Sequence, residues 1–375
     1  MENYRNNNKT IVIAGGGTGG HLFPAIALGE ELTFLGYTII YIGSKFGIES
    51  KVLPTLQNRY YLFNIKGLQR TISFKNFINN TIFPYRFLIT FIKSYLLLKK
   101  LNPIVVIGTG GYASGLPLLA SLKLKIRTLI HEQNSYPGIT TRKLCNIVDT
   151  VCITSIDSKK YINGNIKLTG IPIRKNLVKM NKEDSRKKLN LNRNKKTIFI
   201  LGGSQGSLCF NNHFYNKIDF YTNNNFQIIW QCGFNNFEEY NNKINNKNIL
   251  LKDFFDDISI PFSASDIVVS RSGAMALNEM AHLEKAMILI PLPSSAANHQ
   301  YHNAKYFLRN KAAIMINENK IKDKLNNVII DLINDSDKIK IIGKNANKLI
   351  INNALDNIIS EIIKLDKNYK IKDAK

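Results

Sequence analysis

Short runs of β-branched and aliphatic residues alternate along the chain with longer stretches whose apolar positions recur at helical spacing. That is the pattern of parallel sheets covered by helices on both faces. In the first half the runs predict strands at Thr10–Ala14, Thr38–Ile42, Ile104–Ile107, Arg127–His131 and Thr150–Ile153, with helices between them that include Pro24–Leu35 and Gly115–Leu122. A second series begins at Thr197–Leu201 and continues through Gln227–Gln231, Ile249–Lys252, Ile267–Ser270 and Ala286–Pro291. Between the two series, Gly170–Asn194 is polar and charged and carries Pro172 near its start, as a domain boundary does. The expectation is an α/β chain of two Rossmann-like domains, residues 1–172 and 173–350, with residues 351–375 as a helical tail. At 375 residues the chain is long enough for two such cores.

Glycine-rich loops follow three of the predicted strands: Gly15-Gly16-Gly17-Thr18-Gly19-Gly20-His21, Gly108-Thr109-Gly110-Gly111-Tyr112-Ala113-Ser114-Gly115 and Gly202-Gly203-Ser204-Gln205-Gly206-Ser207. Glycines let the backbone turn sharply and bring amides close to an anion, and a helix amino terminus adds partial positive charge. Two familiar ligands fit the first loop poorly. A dinucleotide needs an acid at the end of the second strand, where the chain reads Ile42-Gly43-Ser44-Lys45. A P-loop needs a lysine where His21 stands, followed by Ser or Thr for magnesium. All three loops lie at carboxyl ends of strands, the address at which open α/β sheets bind ligands, and a cleft lined by both domains is the economical expectation. A histidine at a helix start is commonly a cap or a packing residue. Beside an anion-binding loop it is also the side chain suited to take a proton from a sugar hydroxyl.

Charge alters this picture moderately. Lys and Arg number 51 against 27 Asp and Glu, a net +24, which suits an anionic partner or reflects a chain rich in Lys, Asn and Ile throughout. Cys145, Cys152, Cys209 and Cys232 form no C-x-x-C pair, so free thiols in a reducing compartment are expected and a zinc site is not. The opening residues lack the apolar core of a secretory signal, and Phe83–Leu101 is interrupted by Arg86 and Lys93, a poor spanning helix. The one D-x-D, Asp335-Ser-Asp337, follows no strand and reads as a solvated loop, with no metal expected.

The stretches GGGTGGHLFPA, GTGGYASGLP, HEQNSYPG, GIPIR, LGGSQGS, SRSGAMALNE and ANHQYHNA occur in this order over about residues 10–305. Together they resemble the MurG family of bacterial N-acetylglucosaminyltransferases. The resemblance implies a GT-B architecture whose last helix returns to the first domain. It implies UDP-N-acetylglucosamine as donor and undecaprenyl-pyrophosphoryl-N-acetylmuramoyl-pentapeptide as acceptor. It also implies inverting β-1,4 transfer without a required cofactor, at the cytoplasmic face of the membrane, and no nucleic-acid partner. His21 then matches the catalytic base, and Thr18, Gly19 and Gly20 match the first loop, cradling the acceptor pyrophosphate. Asn134 matches a donor-sugar contact, Arg174 a donor-binding arginine, and Ser204 and Gln205 the residues nearest the UDP phosphates. Phe254 would lie against the uracil and Phe255 would offer its backbone to the base edge. Ala274, Met275, Ala276, Leu277, Asn278 and Glu279 match a helix start facing the donor, with Glu279 on the ribose hydroxyls, and Gln300 would reach sugar hydroxyls. Ala276 and Ser207 depart from the usual threonine and alanine. The segment Ile72–Leu88, with Lys75 and Arg86, would lie in an anionic membrane interface. The alternatives are another GT-B UDP-sugar transferase with a different lipid acceptor, and a nucleotide- or NAD-binding module without transferase activity.

Overall fold

The computed structural model describes residues 9–65, 67, 81–174, 176–203 and 205–366. Two compact units divide the chain: Met1–Pro172 with Asn353–Lys375, and Ile173–Asn352.

The first unit is built on a sheet of seven parallel strands: β1 (Thr10–Gly15), β2 (Thr38–Ser44), β3 (Arg59–Phe63), β4 (Val105–Gly110), β5 (Arg127–Glu132), β6 (Thr150–Ile153) and β7 (Ile166–Leu168), in the order β3-β2-β1-β4-β5-β6-β7. β1 and β4 are buried almost throughout because helices cover both faces, which is why they read as unbroken apolar runs. β3 and β7 have no counterpart in the sequence reading. Both sit at sheet edges, where one flank faces solvent and sequences such as Arg-Tyr-Tyr-Leu-Phe or Ile-Lys-Leu need no continuous apolar run.

The second unit has six parallel strands: β8 (Thr197–Leu201), β9 (Gln227–Gln231), β10 (Ile249–Lys252), β11 (Ile267–Ser270), β12 (Ala286–Leu289) and β13 (Ile314–Met315), ordered β10-β9-β8-β11-β12-β13. Only the two-residue edge strand β13 escaped the sequence pattern. In both sheets the winding direction reverses beside the first strand, between β1 and β4 and between β8 and β11. A crevice opens outside the carboxyl ends of adjacent strands at such a switch point.

The first helix, Gly19–Phe34, begins well before the expected Pro24, so His21 lies in its first turn and Pro24 inside it. Leu22, Ala25, Leu28 and Leu32 face the sheet. The closing helix, Ala354–Leu365, buries Ile358, Ile359 and Ile362 in the same core, and the Tyr37 hydroxyl donates to Asp366 Oδ2 at 3.0 Å. Three buried isoleucines contribute roughly 1.5–3 kcal/mol each by removal from water, enough to hold the end of the chain to the unit in which it began.

Candidate functional site

The first two glycine loops leave β1 and β4, the strands that flank the switch point of the first sheet. They pack against each other. A Cβ on Gly111, at φ +72°, would meet the Gly16 carbonyl oxygen at 2.3 Å, and one on Gly110, at φ +104°, would meet His21 Nδ1 at 2.6 Å. Glycine is required there because backbone and ring occupy the space of a side chain. His21 is half-buried, and its Nδ1 lies 2.9 Å from Gln133 Oε1, the residue just beyond β5.

Behind the first loop sits a carboxylate that the sequence reading passed over. Glu49 is fully buried and accepts hydrogen bonds from Gly17 N at 2.7 Å and Ser44 N at 2.9 Å. A Cβ on Gly16 would collide with its carboxyl carbon at 2.2 Å. The Gly17 amide is therefore committed, and the buried negative charge opposes an anion at that point of the loop. The amides left to a ligand are those at the helix start. Thr18 takes the N-cap position in an extended conformation without a side-chain cap, followed by Gly19 and Gly20. No sequence signal marks Glu49 beyond its being an acid shortly after β2.

Asn134 follows Gln133. Its backbone N–H and its Nδ2 both donate to Glu132 Oε1, at 3.0 and 3.2 Å, while Glu132 Oε2 accepts from Gly138 N and Thr141 Oγ1. The turn after β5 is thus organised around a buried carboxylate, and the Asn134 side-chain amide is tied into it.

In the second unit the third loop follows β8. Ser204 lies outside the described residues, and Gln205 is exposed. Gly206 N donates to Gly203 O at 3.1 Å, and Ser207 caps the helix Leu208–Tyr215 by accepting from Phe210 N at 3.4 Å. Arg271, at the end of β11, donates to Ser207 Oγ at 2.9 Å, lies 4.6 Å over the Phe210 ring and pairs with Glu318. It holds the end of the loop in place. The motif Ser-Arg-Ser-Gly contained it, but nothing in the sequence said that the guanidinium would turn toward β8.

Phe254 stacks nearly parallel on Phe234, centroids 5.6 Å apart, and Phe234 is largely exposed. Phe255 is buried, edge-on to Phe199 at 5.9 Å. Its N–H donates to Gln231 Oε1 at 3.2 Å, while Gln231 Nε2 donates to Gly203 O at 3.2 Å. A buried amide at the end of β9 therefore ties the third loop to the phenylalanine pair. Phe234 and Gln231 both escaped the sequence reading.

The helix Ala274–His282 starts just beyond β11 with Gly273 at its N-cap and no side-chain cap. By helix geometry the amides of Ala274, Met275 and Ala276 have no intrahelical acceptor. Leu277 N donates to Gly273 O at 3.0 Å and its side chain is 1% exposed in the core, while Asn278 Nδ2 donates to Ala274 O. The backbone N–H of Leu277 and one donor of Asn278 are thus engaged within the helix. Glu279 is 4% exposed, with Oε1 lacking a hydrogen bond among the described residues. Arg174 Nε lies 3.1 Å from that oxygen without hydrogen-bond alignment. Burial pushes the Glu279 carboxyl above the ordinary range, opposed by the Arg174 charge. Gln300 is half-buried, its Oε1 accepting from Leu292 N at 3.0 Å.

Among the described residues no group of three or more His, Cys, Asp or Glu is placed to hold a metal ion. Asp335 is more than a plain loop residue: it caps the helix Ser336–Asn347 by accepting from Lys338 N at 2.9 Å. The four cysteines are free thiols.

Known proteins resemble this chain along nearly all of it. The glycosyltransferase family 28 N-terminal domain matches residues 11–153, and the family 28 C-terminal domain matches residues 197–358. A protein of Flavobacterium psychrophilum is 36% identical, over 99% of this chain and 100% of its own length. It is named UDP-N-acetylglucosamine–N-acetylmuramyl-(pentapeptide) pyrophosphoryl-undecaprenol N-acetylglucosamine transferase. One of the same name from Desulforamulus reducens is 35% identical over 94% of this chain and 98% of its own. Among solved structures, MurG of Acinetobacter baumannii superposes with a TM-score of 0.74 at 23% identity, covering 95% of this chain and 99% of that one. The calicheamicin glycosyltransferase CalG4 does so at 0.72 with 9% identity, covering 96% and 98%, a likeness of fold alone.

Proposed function

Because the chain belongs to glycosyltransferase family 28, we propose that it transfers N-acetylglucosamine from UDP-N-acetylglucosamine to the 4-hydroxyl of N-acetylmuramyl-pentapeptide pyrophosphoryl-undecaprenol. This is the step from lipid I to lipid II in peptidoglycan synthesis. Relatives named for this substrate pair extend over almost the full chain. The observation that carries the donor half is Glu279, a buried carboxylate whose Oε1 accepts no hydrogen bond among the described residues, in a helix whose start has no side-chain cap. Adjacent ribose hydroxyls are both donors and suit such a group, since an ionised carboxylate only accepts.

In this reading the second unit holds the donor. The uracil stacks on the half-exposed Phe254–Phe234 pair. Because the Phe255 N–H is committed to Gln231, the carbonyl of Phe255 is what remains to meet the base. The diphosphate meets the third loop and the amides of Ala274–Ala276, with Arg174 supplying positive charge. The first unit holds the acceptor pyrophosphate at Thr18–Gly20. As the acceptor oxygen bonds to the sugar's anomeric carbon, its proton passes to His21. The bond to UDP breaks with its electron pair on the diphosphate, and the configuration inverts. Donors already aimed at that charge lower the barrier without reorganising, and no divalent cation is given a role.

The acceptor's lipid requires a membrane surface. No helix among the described residues is long and apolar enough to cross a membrane. The helix Phe83–Leu101 packs Phe91, Tyr95, Leu97, Leu98 and Leu101 against the core and carries apolar residues on its outward face as well. Thr90, Ser94 and Leu98 face inward, while Tyr85, Leu88, Ile92 and Leu96, spaced at one helical face, are 66%, 57%, 46% and 59% exposed. Lys93, Lys99 and Lys100 are exposed on the same helix. This suits peripheral docking on an anionic leaflet at the cytoplasmic face. The part of the expected interface at residues 72–80 lies outside the described residues.

The test is transfer of labelled N-acetylglucosamine from UDP-N-acetylglucosamine to a lipid-linked muramoyl-pentapeptide, with and without a chelator. Labelled disaccharide-lipid at equal rates in both arms is expected. Transfer only to some other lipid would favour a different acceptor, and loss of turnover restored by Mg²⁺ would overturn the metal-free reading.

A further inference from the structure

Beyond β5, a chain of hydrogen bonds links His21 to the interior of the first unit, and its members leave one arrangement of protons. Gln133, 3% exposed, places Nε2 at 2.7 Å from Thr109 O and 3.1 Å from His131 O. Both are carbonyl oxygens and only accept, so the amide nitrogen must face them; turning the amide over would set oxygen against oxygen. The same Nε2 lies 3.2 Å from His131 Nδ1. His131 is fully buried with Nε2 at 2.9 Å from Gly170 O, which again only accepts. His131 Nε2 therefore carries the proton, and its Nδ1 accepts. Burial, offset in part by the Gly170 bond, lowers the His131 pKa to about 4, which keeps the ring neutral. Gln133 Oε1 is left facing His21 Nδ1 at 2.9 Å.

We propose that Gln133 is a positioning residue that fixes His21 as the Nδ1–H tautomer, leaving Nε2 as the basic nitrogen. The inference rests on the transferase reading, in which His21 removes the acceptor proton. An oxygen that only accepts compels Nδ1 to donate, and the lone pair then lies on Nε2, which makes no hydrogen bond among the described residues. The orienting group is a neutral amide, so it aligns the ring without adding the counter-charge that a carboxylate would supply to an imidazolium. Gly110 belongs to the same device, because a side chain there would wedge between the ring and Gln133 Oε1.

The test pairs a spectrum with kinetics. In the wild-type protein, labelled with ¹⁵N-histidine and assigned by comparison with H21N, the neutral His21 ring should show a pyrrole-like Nδ1 and a pyridine-like Nε2. In Gln133→Met, close in volume but without the acceptor, the tautomers should mix and kcat should fall about 10-fold or more, against the 10²–10⁴-fold that a positioned base supplies. The KM for UDP-N-acetylglucosamine should stay within about twofold. Gln133→Glu keeps the acceptor. It should recover much of kcat, with the acid limb of the kcat profile moved to higher pH, which mere loss of packing would not produce. A protonated Nε2 in the wild type, a Gln133→Met kcat within twofold of wild type, or a Gln133→Glu variant no better than Gln133→Met would each overturn the inference. If Gln133→Met does not fold, the wild-type spectrum decides alone. An Nδ1–H tautomer combined with full turnover in His21→Ala would instead remove the base from the functional reading and leave the tautomer lock standing.

Discussion

Replacing Glu279 by glutamine separates ligand binding from stability, because the two should move differently. In the free protein the carboxylate is 4% exposed, has an oxygen without a hydrogen bond among the described residues and is held above its ordinary pKa by burial. A neutral amide of nearly the same shape removes that desolvation and leaves Arg174, 31% exposed at its side chain, within reach of water. Thermal stability without ligand should therefore be unchanged or slightly raised. Binding should behave otherwise. Two hydroxyls donating to a carboxylate make two charge-assisted hydrogen bonds of about 1.5–3 kcal/mol each. Glutamine keeps one acceptor and turns an NH₂ toward the second hydroxyl, so the loss is about 2–4 kcal/mol, or roughly 30- to 700-fold in the Kd for UDP. Calorimetric titration with UDP, beside thermal unfolding of the free protein, measures both. Titration with 2′-deoxy-UDP closes a cycle: the penalty for the missing hydroxyl should be large in the wild type and smaller in the variant, which retains at most one neutral acceptor. A variant that binds UDP within twofold of wild type would refute the ribose assignment. A variant whose affinity and stability fell together would make Glu279 a structural residue.

Three further outcomes are expected. His21→Ala should lower transfer by about 10²–10⁴-fold while UDP binds as before, because the base acts on the acceptor hydroxyl; near-normal turnover in steady-state assays would remove it from the chemistry. Leu88→Asp combined with Leu96→Asp should weaken co-sedimentation with vesicles containing anionic lipid while leaving the melting temperature almost unchanged, since both side chains are more than half exposed; undiminished sedimentation would reject the docking helix. The third concerns acid. His131 folds with a pKa of about 4 against an ordinary value of 6.5, so the unfolded chain binds the proton first as pH falls. This contribution to stability is complete above pH 6.5 and is lost as pH falls toward 4, by up to about 3 kcal/mol. Urea unfolding from pH 7 to 4 measures it, and an equal loss in His131→Asn would show that His131 is not its source.

The sequence by itself determined the buried strands and the loops that follow them. Helices on both faces require long apolar runs in β1, β4, β8 and β11, and the glycines that end those runs are legible as letters. The edge strands β3, β7 and β13 were not, because a half-exposed edge tolerates short or polar sequences; the fourth edge strand, β10, kept the apolar run Ile-Leu-Leu and was legible. The motifs likewise named His21, Arg174 and Glu279 as candidates through their resemblance to a family. Tertiary structure alone decided what those groups touch. Glu49 takes the Gly17 amide, Gln231 takes the Phe255 amide, Arg271 turns onto Ser207, and Gln133 meets His21 from 112 residues away. Each is a polar side chain whose role comes from the one partner it meets after strands distant in sequence are laid side by side. Periodicity in a chain reports which face of an element is buried; it carries no record of which donor will be opposite which acceptor.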